Sequence, residues 1–218
     1  MSGYHRRVAQ AEPKPVVWEG MRTPWGAAQD ARVVAPGVGW VGTSGHGGVK
    51  LSLQLNRRMP DYMRRLGGWY EEDCDWALPY VALADHLRQG GPPGRRDEDE
   101  AFLAAAVKTL RDWHPDAYER FTGEAIPEGG SHVKDELAFK ELHKGDLVAV
   151  SAADSQTRPG FVEVTTSVGG LRSGFSAERG RERIVPVRRF LVPKGEYTKR
   201  SPFGFVVADP SRYEEITG

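Results

Sequence analysis

The spacing of apolar residues changes character twice along the chain. From Val16 to Leu55 it is strand-like. "ARVVAPGVGWVGTS" and "GVKLSLQL" are β-rich runs, and Val49, Leu51, Leu53 and Leu55 alternate with polar residues in the second. After Asn56 the period becomes helical and stays so to Gly145. From Asp146 onward, "DLVAVSAA", "GFVEVTTS", "RIVPVRRFLV" and "GFVVAD" read as short strands between Gly, Pro and Ser turns. The fold class is therefore α+β: a helical middle segment flanked by N-terminal strands or a hairpin and by a small C-terminal antiparallel sheet or half-barrel.

Within the middle segment, "MPDYMRRL" predicts a short helix with Pro60 in its first turn. "YEEDCDWALPYVALADHL" predicts a longer one, with Glu71, Glu72, Asp73 and Asp75 at the positive end of its dipole and Pro79 bending or dividing it. "QGGPPGRRDEDE" predicts a hinge or exposed loop. Helices are expected in "DEDEAFLAAAVKTLRDW", "PDAYERF" and "SHVKDELAFKELHKG". The organisation expected is a flexible arm over 1–15, an α+β domain over 16–145 and a small β-rich unit over 146–218. All six tryptophans lie in the first 113 residues, where they are expected in the core or around a cleft.

With 218 residues the chain is long enough for one domain or two small ones. Lys plus Arg equals Asp plus Glu at 30 each, so no net field favours nucleic acid, although local basic patches leave that partner open. The single cysteine, Cys74, excludes an internal disulfide framework and fits a reducing compartment. No apolar run approaches the ~20 residues of a membrane span, and the N-terminus lacks the apolar core of a secretory signal. A cytoplasmic protein is expected.

Gly37, Gly39 and Gly42 have the G-x-G-x-x-G spacing, but a strand follows them instead of the helix that would hold a pyrophosphate, so no dinucleotide site is assigned. The "SGHGG" turn is more informative. Gly45, Gly47 and Gly48 free the backbone for positive φ, and His46 can be presented to a pocket as acid, base or donor. "GGWYEEDCDWALPY" supplies carboxylate partners, and Trp69, Tyr70 and Trp76 can desolvate some of them. The expected catalytic set is His46 with Glu71 and Glu72, Asp75 being a further neighbour. Cys74 sits among acids, the wrong setting for a thiolate. His46, Glu71 and Asp75 offer three N/O donors, yet HExxH and paired Cys/His spacings are lacking, so neither a metal nor a cofactor is assigned.

A second constellation is "NRRMPDYMRRLGGWY". Arg57, Arg58, Tyr62, Arg64, Arg65 and Trp69 are the residue types that dominate protein-binding hot spots.

Across roughly residues 23–85, "TPWGAAQD", "TSGHGG", "LSLQLN" and "GGWYEEDCDWALPYVAL" resemble a family of proteins of unknown activity from bacteriophages, plasmids and related bacterial genomes. Gly45 stands where that family's pattern has a serine before the histidine. The resemblance implies a mobile-element accessory protein of unknown activity; the hot-spot residues of 57–69 make binding to a host or virion protein in the host cytoplasm the expected mode of action. The alternative, drawn from the residues themselves, is a small hydrolase or transferase using His46 and a carboxylate of the 71–75 cluster.

Overall fold

The computed structural model describes residues 15–90, 96–176 and 181–216. The arm expected over 1–15 lies almost wholly outside the described residues, as does the centre of the Gly-Pro hinge. The chain forms two compact units that divide between Ser131 and His132, so the helix expected to close the first domain belongs with the second.

The first unit opens with a small hairpin, β1 (Arg22–Thr23) and β2 (Gly26–Ala27). A four-stranded antiparallel sheet follows, built from β3 (Asp30–Ala35), β4 (Val38–Gly42), β5 (Gly47–Leu51) and β6 (Trp69–Glu71) in that spatial order. Its helices are α1 (Leu53–Asn56), α2 (Ala77–Ala82), α3 (Ala84–Gly90), α4 (Arg96–Trp113) and α5 (Pro115–Thr122). Side chains alternate across the sheet. Val38 of β4 joins Val49, Leu51 and Tyr70 in one core with Met59, Met63, Leu78 and Leu110, while Val41 faces the other way onto Val17, Met21 and Ala28. Each such fully buried side chain contributes about 1.5–3 kcal/mol.

Three local expectations are corrected. The alternation from Val49 to Leu55 does not continue as a strand. β5 ends at Leu51, and the Ser52 hydroxyl accepts the Leu55 N–H at 3.3 Å, capping α1. "MPDYMRRL" is a turn closed by Met63 N–H to Pro60 O at 2.9 Å and not a helix. The segment from Tyr70 begins as strand β6, and the helix starts only at Ala77. Pro79 therefore falls in the first turn of α2, where its missing N–H costs nothing, and the break between α2 and α3 is at Leu83. Of the tryptophans, Trp40 and Trp76 pack half-buried against the main core and Trp25 and Trp69 against the smaller one, while Trp18 and Trp113 are exposed.

The second unit contains α6 (His132–Leu142), β7 (Leu147–Asp154), β8 (Phe161–Val168), β9 (Gly174–Ser176), β10 (Arg181–Arg183), β11 (Arg188–Pro193), α7 (Lys194–Tyr197), β12 (Val206–Val207) and β13 (Glu214–Glu215). Five strands form an antiparallel sheet in the order β12-β7-β8-β11-β13, and β9 pairs with β10 separately. Phe190 lies opposite Val164 and Val192 opposite Val162, and these four pack with Phe205 and Val207. The architecture is α+β, as the sequence pattern predicts. Among the described residues, no helix is long and apolar enough to cross a membrane.

Candidate functional site

β5 and β6 pair with Gly48 opposite Glu71, Val49 opposite Tyr70 and Lys50 opposite Trp69. That register lays the turn before β5 beside the residues that follow β6. The turn runs from Thr43 to His46. Thr43 N–H donates to the His46 carbonyl at 2.7 Å, and the Thr43 hydroxyl both donates to that carbonyl at 2.7 Å and accepts the His46 N–H at 3.2 Å. The His46 backbone is thus fixed while its side chain remains 59% exposed.

The glycines serve this site only partly as expected. Of the three, Gly48 alone adopts positive φ, at 157°. Gly47 and Gly48 lie inside β5, where close approach also matters. A Cβ on Gly48 would overlap the Tyr70 carbonyl, and one on Gly47 would overlap the Glu72 carboxylate and come 2.7 Å from the Val41 carbonyl oxygen.

Glu71 is the last residue of β6, and Glu72 donates its N–H to the Gly47 carbonyl at 3.1 Å. One carboxylate oxygen of Glu71, Oε2, accepts the Asp73 N–H at 2.7 Å. Its Oε1 is buried, has no hydrogen-bond partner and lies 3.9 Å from His46 Nδ1. One ligand-type atom from each of His46, Glu71 and Glu72 lies within 4.8 Å of the others. The structure therefore brings together the three residues singled out in the sequence, across a strand pair and not along a helix face.

Asp75 belongs to a different constellation. Arg65 Nε and Nη2 each donate to its carboxylate at 2.8 Å. His114 Nε2 sits 3.2 Å from Asp75 Oδ1 but off the line of a hydrogen bond, so that contact is chiefly electrostatic. Burial pushes the Asp75 carboxyl up, but His114 and the Arg65 guanidinium outweigh it and hold the group well below the usual carboxylate range. The Cys74 thiol is pushed up by burial and then by Asp75, Glu71 and Asp73, which agrees with its unsuitability as a nucleophile. Cys74, Asp75 and His114 also converge within 4.8 Å, but Arg65 already occupies both Asp75 oxygens. This cluster is a structural clasp that ties the turn after β6 to the start of α5. His114 is the member that sequence reading did not single out, for lack of any spacing that links it to Asp75.

Most of the expected binding residues are engaged within the fold. Arg64 donates to the carbonyls of Asn56, Met59 and Arg57 at 3.0, 2.8 and 3.2 Å. Tyr62 lies under the Arg120 guanidinium at 3.9 Å, and Trp69 packs edge-to-face on Trp25 at 5.7 Å with Lys50 Nζ 4.6 Å above its ring. Arg57 and Arg58 remain exposed, as do Leu53 and Leu66, which sequence reading did not single out.

The chain belongs to DUF7007, a domain of unknown function, whose match covers residues 19–144 and so includes the whole His46–Glu71–Glu72 cluster. No curated protein and no solved structure matches the chain.

Proposed function

We propose that the first unit is a small hydrolase or transferase acting at His46, Glu71 and Glu72. The observation that carries this reading is an accessible imidazole whose Nδ1 lies 3.9 Å from a buried, unpartnered carboxylate oxygen of Glu71. A small side-chain rotation closes that gap to hydrogen-bond length, and such contacts commonly tighten when a reactant excludes water. Glu71 then orients the ring, Nε2 of His46 moves the proton, and Glu72 holds a water or hydroxyl beside it. The test is turnover of p-nitrophenyl esters, phosphomonoesters and phosphodiesters by the purified chain. His46→Ala and Glu71→Gln are expected to lose about 10²–10⁴ of the rate with unfolding midpoints preserved. Turnover that survives both substitutions sinks the assignment.

A second reading rests on the exposed side chains of Leu53, Arg57, Arg58 and Leu66, the last 99% exposed. Exposed apolar side chains and arginines suit a protein partner. The likeness of residues 23–85 to phage and plasmid proteins supplies the class of that partner, a host or virion protein met in the host cytoplasm. Affinity capture from host cells, run beside the turnover assay, separates the two. A stoichiometric partner lost in Leu66→Asp, with no turnover in any preparation, selects binding.

A further inference from the structure

We propose that His46, Glu71 and Glu72 bind a divalent transition-metal ion of the zinc and manganese class. The inference rests on the same cluster as the proposed reaction but concerns binding and does not require turnover; with the ion bound, His46 Nδ1 and Glu71 Oε1 ligate it in place of bonding to each other.

Four observations converge. The separation of 3.9 Å between His46 Nδ1 and Glu71 Oε1 is too long for a hydrogen bond. It is close to the about 3.3 Å that separates two donors on a tetrahedral ion with bonds of about 2.0–2.1 Å. Glu71 is also oriented as a metal-binding carboxylate is: a backbone N–H, from Asp73, holds Oε2 at 2.7 Å, and Oε1 is left buried without a partner. A buried acceptor in that state is unfavourable unless a cation or donor meets it. The third observation is space. Gly47 lacks the Cβ that would overlap the Glu72 carboxylate, and its carbonyl holds the Glu72 N–H at 3.1 Å, so the second carboxylate is seated against β5.

The fourth is charge. Among the described residues, neither Glu71 nor Glu72 forms an ion pair with a lysine or arginine; Glu71 is paired only with His46, at 3.9 Å. Asp75, a few residues on, shows the contrast, because Arg65 neutralises it with two bonds of 2.8 Å. Two carboxylates and one imidazole converging without a fixed cation make a site for a mobile one. One nitrogen and two oxygens suit Zn(II), Mn(II) or Fe(II) better than calcium, which takes oxygen donors, or Cu(I), which takes sulfur. Three protein donors leave at least one coordination position for water, and the exposed flank of His46 leaves that position accessible.

The test uses the full chain, stripped with chelator and titrated with ZnCl₂ by calorimetry and with CoCl₂ by visible absorption. One ion per chain is expected, with a Co(II) spectrum lacking thiolate charge-transfer bands. His46→Ala, Glu71→Gln and Glu72→Gln are each expected to weaken binding about 10- to 100-fold. Glu71→Gln is nearly isosteric and can still accept the Asp73 N–H, so an unchanged metal-free unfolding midpoint in that variant separates lost ligation from lost fold. Cys74→Ala and Asp61→Asn should bind as the parent does. Absence of saturable binding, an affinity unchanged in His46→Ala, or binding lost in Cys74→Ala overturns the proposal. Turnover by a chain that shows no saturable ion binding overturns the metal and leaves the reaction standing; stoichiometric ion binding without turnover does the reverse.

Discussion

At Asp75 two basic side chains meet one half-buried carboxylate, and the consequence is a stability that depends on acid. The carboxyl is held well below its ordinary value in the fold, against about 3.9 when unfolded. A depressed folded value stabilises at pH above the unfolded one, and that stabilisation drains away as pH falls through the folded value. Asp75→Asn should therefore unfold more easily at pH 7 by about 1–3 kcal/mol, having lost one partner of a charged pair. Its deficit should shrink steadily below about pH 4. Urea unfolding of both chains from pH 7 to pH 2 measures the gap; a constant gap rules out the linkage. The residue types of this clasp are visible in the sequence, but the approach of His114 to Asp75 spans 39 positions and leaves no local trace.

At the scale of elements, β6 decides the site. Read by composition, Glu71 to Asp75 is the acidic first turn of a helix. Pairing with β5 overrides that preference, because Trp69 and Tyr70 are strand formers and Tyr70 is wholly buried on the sheet's core face. Its hydroxyl donates to Asn56 Oδ1 at 2.7 Å and accepts the Arg65 N–H at 3.3 Å. Tyr70→Phe leaves Asn56 unmet in the interior, so it should cost about 1–3 kcal/mol by denaturant unfolding. A change under ~0.5 kcal/mol, within the scatter of ordinary surface substitutions, would show that the strand needs only the ring. What was legible follows the range of the forces involved. The periodicities of β5, α4, α5, α6, β7 and β8 are local and could be read. Ser52 hid a helix cap inside a continuing alternation. His46, Glu71 and Glu72 were visible as residue types, but their meeting depends on a pairing between positions 48 and 71, which no local window contains.

At the scale of the molecule, the family match covers the described first unit from residue 19 and extends into the second as far as residue 144, so it also takes in α6. The site lies in the first unit, at the end of its sheet. Among the described residues β6 pairs only with β5, which makes it an edge, and an edge offers its unpaired amides and carbonyls to any other chain. The chain's formal net charge is zero, so long-range repulsion between copies is weak. Protection against colloidal association then falls to local devices: a strand of three residues, ending in Glu71 and followed at once by Glu72 and Asp73. Replacing all three with Gln, Gln and Asn should raise the mean mass in light scattering as concentration increases, and an unchanged mass would show that brevity alone protects the edge. The carboxylates proposed to act on a reactant would then also be what keeps a second copy out.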